Sequence, residues 1–304
     1  MKINNNFAVN IAGIKFANPV LVASGTFGYG DEIQDLVQVK KLGGIITKTV
    51  TLKPKEGNPS PRIAEVASGM INTIGLQNMG VENFIKEKLP QLRRLAVPVI
   101  VSIAGEASSD YIHVVKMLSN EDGISAIELN LSCPNLKKKI ICQDKRLAEE
   151  IVQQTSEISK VPIFAKLSPQ VEDLVDLSIL MERSGAKALS LVNTYPGMVI
   201  DVKTRKPKLS TVTGGVSGPA IKPLALKCVW DVSKSVSIPI IGGGGIMNAG
   251  DAIEFIIAGA SAVSIGTANF INAKIPTDVV RGIGEYFSKN KIKSIDEIRG
   301  KLEV

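Results

Sequence analysis

Eight consecutive residues, Glu128-Leu129-Asn130-Leu131-Ser132-Cys133-Pro134-Asn135, carry the groups in this chain best suited to chemistry. An apolar run from Ile124 to Leu129 ends there in a polar cluster, with a cysteine held between Ser132 and Pro134. The pattern sets a thiol and two amides at the end of a buried strand, where parallel α/β sheets carry their sites. A cysteine so placed can act as base or nucleophile. Asn130 and Asn135 can hydrogen-bond a flat polar ligand. A free thiol titrates at about 8.5, so a basic role calls for a local field or an alkaline medium.

Other apolar runs end in comparable groups: Ala23-Ser24-Gly25, Lys48-Thr49, Lys166, Asn193-Thr194, Gly242-Gly243-Gly244-Gly245 and Gly266-Thr267. Burying an ammonium without a partner is costly, so a lysine at a buried strand end suggests a task. Lys48 and Lys166 suit charge compensation, as for the negative charge that develops near N1 of a reduced flavin. Glycine turns that lead into helices offer backbone amides to an anion, although tight βα turns use glycine for conformational reasons alone. A four-glycine turn followed one unit later by Gly266-Thr267 favours a phosphate. FMN, with one phosphate, fits better than a dinucleotide.

Eight β-rich runs must position these groups. Strands are predicted at 19–23, 44–48, 98–102, 126–130, 163–166, 188–193, 238–242 and 262–266. Helical patterns follow at 31–41, 80–96, 108–120, 145–160, 171–184, 220–236, 249–259 and 276–289. Eight alternations favour a (β/α)8 TIM barrel over a doubly wound sheet. Phe7–Ile11 and Ile14–Phe16, joined by Ala12-Gly13, predict an N-terminal β-hairpin closing the barrel bottom. A short helix is expected at 294–302. Two connections, 49–79 and 194–219, exceed simple turns and emerge on the catalytic face as long βα loops. No composition shift divides the chain, so a single domain over 1–304 is expected.

Composition narrows the function classes. The 304 residues are 44% hydrophobic but only 4% aromatic, which suits buried parallel strands. The net charge is +7 and the pI about 9.2. Lys137-Lys138-Lys139 and Lys203–Lys208 lack interleaved aromatics, which argues against nucleic acid and for an anionic substrate, cofactor or partner. Three cysteines (Cys133, Cys142, Cys228) form no CxxC pair, and Cys142 and Cys228 read as structural. With His113 the sole histidine, on a helix away from the strand ends, no metal site is expected. No apolar run reaches 18 residues and Met1–Asn6 has no apolar signal region, so the expected location is cytoplasmic, off the membrane.

Taken in order, the blocks resemble the class 1 dihydroorotate dehydrogenases, in particular the catalytic subunit of the NAD-linked class 1B type. They are Asn18-Pro19 with Ala23–Gly28, Lys48–Thr51, Gly57–Arg62, Ser68–Asn78, Asn130–Asn135, Lys166–Pro169, Val192–Thr194, Gly214–Ala220 and Gly266–Phe270. The resemblance implies a barrel holding one FMN and oxidising dihydroorotate to orotate in pyrimidine biosynthesis. It implies Cys133 as the base that removes the C5 proton, with hydride passing from C6 to flavin N5. Lys48, Asn72, Thr73, Ile74, Gly75, Leu76, Asn130, Asn193 and Thr194 correspond to substrate contacts. Ser24, Lys48, Thr49, Asn130, Lys166, Val192, Gly218, Gly244, Gly245, Gly266 and Thr267 correspond to FMN contacts. The class passes electrons to NAD through an iron–sulfur flavoprotein subunit carrying FAD and a 2Fe–2S cluster. Its assembly is a heterotetramer around a homodimer of catalytic subunits. Three scattered cysteines cannot hold such a cluster on this chain.

Three positions depart from the family pattern. Residues 136–143 lack the usual glycines, Ser102 replaces a common asparagine, and Thr26 replaces a common cysteine. Ser102 is shorter and leaves room for a water. The alternatives are a dihydrouracil-type flavoenzyme with the same cysteine, a fumarate-linked class 1A-like dehydrogenase, and a non-catalytic flavin- or phosphate-binding barrel. A carboxylate-binding turn at Asn72–Leu76 separates the first, because dihydrouracil has no carboxylate.

Overall fold

A computed structural model describes residues 7–30, 32, 37–132 and 140–304. Eight parallel strands close on themselves. They are β1 (Val20–Val22), β2 (Gly44–Ile46), β3 (Val99–Ile103), β4 (Ala126–Asn130), β5 (Ile163–Leu167), β6 (Ala188–Leu191), β7 (Ile240–Gly243) and β8 (Ala262–Ile265). Closure comes from β8 lying beside β1, with Val263 opposite Val20 and Ile265 opposite Val22. Each predicted strand is present, with ends shifted by at most a few residues.

The strands are buried on both faces, as their Val, Ile and Ala content requires. Among the described residues, six helices of nine or more residues pack outside: α1 (Ser108–Leu118), α2 (Lys145–Ile158), α3 (Leu174–Arg183), α4 (Lys222–Ser233), α5 (Ala249–Ile257) and α6 (Ile275–Asn290). Their starts are chemically marked. Asp144 and Asp173 accept hydrogen bonds from the third residue of α2 and α3. Asn248 and Asp251 form a reciprocal capping box on α5. Where helix meets strand, glycine permits close approach: a Cβ on Gly242 of β7 would stand 2.7 Å from the ring of Phe255 on α5.

Several expectations need correction. The 80–96 segment is helical only to Leu92 and contains a π-turn at Phe84–Lys88. The 294–302 segment is a single 3-10 turn, Ile295–Glu297, and Gly300 follows in the left-handed region (φ +66°). Of the 31–41 helix, the described residues show a 3-10 turn at Val39–Lys41, and most of the remainder lies outside them. The hairpin forms as Val9–Ile11 paired with Ile14–Phe16.

The two long loops are not irregular. They build one four-stranded antiparallel sheet in the order Tyr195–Gly197, Gly214–Ser217, Gly69–Asn72, Ile63–Val66. Gly215 sits opposite Asn72 and Ser217 opposite Met70. This small sheet forms a roof for the cavity at the strand ends, where Ile63, Met70, Asn72, Gly214, Gly215 and Ser217 all line the space.

Replacing Phe255 by alanine removes a fully buried ring from the α5–β7 contact and is expected to destabilise the fold by about 3–5 kcal/mol. Urea unfolding measures it, and a loss below about 1 kcal/mol would show that this face is not close-packed.

Candidate active site

The C-terminal ends of the strands enclose a cavity of about 500 Å³, within the range of small-molecule sites. Among its described lining residues are two lysines, Lys48 and Lys166, and one carboxylate, Glu128. Ser24, Thr49, Asn130, Val192, Asn193 and Thr194 line it too, with Asn72 to Leu76, Gly244, Gly245, Gly266 and Thr267. Gly218 does not. It is buried behind the glycine turn, its carbonyl 2.9 Å from where a Cβ on Gly245 would stand. Cys133, Pro134 and Asn135 lie outside the described residues.

A network of polar side chains fixes the wall below the opening. Thr49 Oγ1 lies 3.0 Å from Ser24 Oγ and 3.1 Å from Ser102 Oγ. Asn130 Nδ2 reaches the same hydroxyl at 3.4 Å. Asn130 Oδ1 accepts from the Ser132 amide at 3.3 Å, and Asn193 Nδ2 lies 3.5 Å away. From behind, Tyr111 on α1 donates to the Asn130 carbonyl at 2.9 Å. The end of β4, just before Cys133, is thus held from three sides. Ser102 is fully buried and spent on Thr49, so it belongs to this support rather than to the cavity lining. Thr26 does line the cavity, while its hydroxyl is held by donating to the Ala23 carbonyl and accepting from Asn269.

Two stretches of backbone carry unspent donors. Among the described residues, the amides of Gly244, Gly245, Gly266 and Thr267 make no hydrogen bond. They line one end of the cavity after β7 and β8. A Cβ on Gly245 would meet the Lys222 amide nitrogen at 2.8 Å, so only glycine leaves this cradle open. The turn is anchored by Asp251, which accepts from the Met247 and Asn248 amides and from Lys222 Nζ at 2.7 Å. That pairing raises the Lys222 pKa above the ordinary lysine value. The second stretch is Ile74, Gly75 and Leu76, whose amides are also free among the described residues. Gly75 and Leu76 both adopt positive φ, +75° and +56°. Asn58 braces the stretch through the Thr73 carbonyl and hydroxyl at 3.0 and 2.7 Å. Both stretches are nests for anions.

Neither cavity lysine's ammonium group has a hydrogen bond or ion pair among the described residues. Burial pushes the Lys48 ammonium below the usual lysine range, with Glu32 opposing the shift and the Arg62 charge adding to it. A half-buried cation without a partner, beside unspent amides, is a site built for negative charge. Burial pushes the Cys142 thiol up to about 12, consistent with an inert structural residue. His113 is on α1, its ring bonded to the Ser109 carbonyl. No described helix is long and apolar enough to cross a membrane.

A family model described as Dihydroorotate dehydrogenase matches residues 6–287. The chain belongs to the dihydroorotate dehydrogenase family. It is 53% identical to the dihydroorotate dehydrogenase B (NAD(+)) catalytic subunit of Endomicrobium trichonymphae, over 97% of this chain and 96% of that one. It is 48% identical to the protein of the same name from Thermodesulfovibrio yellowstonii, over 97% and 98% of the two chains. For Bacteroides thetaiotaomicron the identity is 46% over 98% and 99%.

Some lining groups had no sequence signal that pointed to the cavity. Glu128 read as part of an apolar run, and Ser190 sits inside a strand. The roof residues Ile63, Met70 and Ser217 lie in loops whose pairing is long-range.

Because the folded chain holds the Lys48 proton less tightly than the unfolded chain, the charged amine opposes folding at neutral pH. That opposition fades only as pH rises toward the ordinary lysine value. Lys48→Met is therefore expected to leave the ligand-free protein at least as stable as the parent. Thermal melting at pH 7 measures this, and a clearly lower midpoint would mean that Lys48 contributes to the fold.

Proposed function

We propose that the chain oxidises dihydroorotate to orotate on bound FMN and passes the electrons to NAD through a partner subunit. The observation that carries this is one cavity with two unpartnered lysines and two separate nests of unspent amides, in a chain of this family. One nest suits a phosphate and the other a carboxylate, and the proposed cofactor and substrate bring one of each. Dihydrouracil would leave the Ile74–Leu76 amides without an acceptor, so the dihydroorotate reading is preferred.

The residues present fit FMN. Gly244, Gly245, Gly266 and Thr267 would take the phosphate, with Gly218 supporting the turn from behind. Ser24, Thr49, Asn130, Lys166 and Val192 would meet the rest of the cofactor, and Lys48 would serve both cofactor and substrate. When bound, FMN supplies the hydride acceptor.

The chain's own residues do the remaining work. The amides of Ile74, Gly75 and Leu76 would hold the substrate carboxylate, braced by Asn72 and Thr73. Asn130, Asn193 and Thr194 would match the donors and acceptors of the pyrimidine ring. The Asn130 amide is prepositioned by Thr49 and Ser132, which limits the freedom lost on binding. Cys133 Sγ, three residues beyond Asn130, would take the C5 proton. The roof sheet would exclude water above the ring.

The iron–sulfur flavoprotein partner would carry FAD and the 2Fe–2S cluster, in an assembly built on a homodimer of this chain. The relatives' name, catalytic subunit of an NAD(+) enzyme, supports such a partner. We place the activity in the cytoplasm and treat residues 1–304 as one domain.

The purified chain should show flavin absorption that bleaches on anaerobic addition of dihydroorotate. Bleaching with dihydrouracil alone would transfer the protein to the other pyrimidine substrate. Cys133→Ala should retain flavin yet lose about 10²–10⁴-fold in the rate of bleaching. An unchanged rate would remove Cys133 from the mechanism.

A further inference from the structure

Glu128 is absent from the roles assigned above, yet its placement is unusual. It is fully buried, in the middle of β4, two residues before Asn130, and it lines the same cavity as Lys48 and Lys166. One carboxylate oxygen, Oε2, accepts from Ser190 Oγ at 2.7 Å. The other, Oε1, is buried and has no partner among the described residues. Neither cavity lysine forms an ion pair with it. Ser190 stands opposite Lys166 in the β5–β6 ladder, and Asn130 stands opposite Lys166 in the β4–β5 ladder. The carboxylate therefore sits in the barrel next to the strand positions that carry Lys166 and Asn130.

A buried carboxylate with half its hydrogen-bonding capacity unused is costly, and a purely structural core would favour an apolar residue here. What the carboxylate contributes is charge. In the dry interior its field is screened far less than in water. The described cavity lining holds two lysines and one acidic side chain, and Glu128 in its ionised form offsets one of the two cations.

We infer that Glu128 is an electrostatic positioning residue that lowers the reduction potential of the bound flavin, keeping its electrons transferable to a weak oxidant. This rests on the function proposed above. Two uncompensated lysines would favour the negatively charged reduced flavin and make it slow to give electrons up. One buried carboxylate in the same cavity works against that, so the site still accommodates an anion without trapping it. The Ser190 hydroxyl holds the carboxylate in place from one side and leaves Oε1 facing no donor among the described residues.

The test is the midpoint potential of the flavin in the holoenzyme, measured by equilibration with a redox dye. Glu128→Gln keeps the shape and an acceptor for Ser190 but removes the charge. Glu128→Leu removes the charge and the polar atoms together, which guards against misfolding from an unsatisfied amide. Both are expected to raise the potential by at least about 30 mV, a tenfold shift in the two-electron equilibrium. Glu128→Asp retains the charge and should stay near the parent value. Equal potentials in parent, Gln and Leu proteins would overturn the inference. So would an Asp variant that shifts as far as Gln, or failure of both neutral variants to fold with flavin, since either marks a structural role. The parent protein separates the two levels. If it binds no flavin, the proposed function falls as well. If it binds flavin and bleaches with dihydroorotate while the variants do not shift, only the role of Glu128 falls.

Discussion

Closure of the parallel barrel is the constraint on which the rest depends. Once Val263 lies beside Val20, all eight strands end on one rim. Residues as far apart in sequence as Ser24 and Thr267 then face the same space. No single βα unit holds the site. Lysines arrive from β5 and from just beyond β2, an asparagine from β4, and the glycine turns from β7 and β8. The strands are too short to tolerate a slip, because a shift of one residue would send Asn130 and Lys166 outward among the helices.

The barrel interior near this rim is polar, which is expensive unless each group is answered. Thr49 answers Ser24, Ser102 and Asn130 through one hydroxyl, and Tyr111 answers the Asn130 carbonyl from outside. Satisfied networks of this kind make a wall rigid. Among the described residues, the groups left unanswered at the cavity are the amides of the two nests, the lysine ammonium groups, Ser132 Oγ and one oxygen of Glu128. Unpartnered buried hydroxyls also occur away from it, at Ser119 and Ser156.

Much of this was legible in the sequence because it is local. Runs of β-branched residues followed by helical periodicity announce the barrel, and Ala126–Asn130 is a strand with the same ends in prediction and structure. Polar residues at the ends of those runs, such as Ser24, Lys48, Thr49, Asn130 and Lys166, pointed to part of the cavity lining. Gly218 is not among the lining residues, and a glycine that lines a cavity and one that supports it from behind look alike in sequence. The roof was not legible. Its strands are short and rich in glycine, and Asn72 bonds Gly215 across 143 residues, a pairing no local pattern encodes. Ser102 looked like a gap at the flavin because its partner Thr49 comes from a different strand end. Glu128 heads the polar block of the sequence but carried no assigned role there, as a charge inside a buried strand leaves no periodic trace.

The roof has a consequence for how such barrels can be altered. Gly69–Asn72 pairs with Ile63–Val66 on one side and Gly214–Ser217 on the other, so each long loop supplies an edge that the other covers. Inserting a residue into one strand alone would slip its register and leave backbone donors of the other loop open to a foreign strand. The transferable unit is therefore the pair of loops. A barrel given only one of them would gain an adhesive edge rather than a lid.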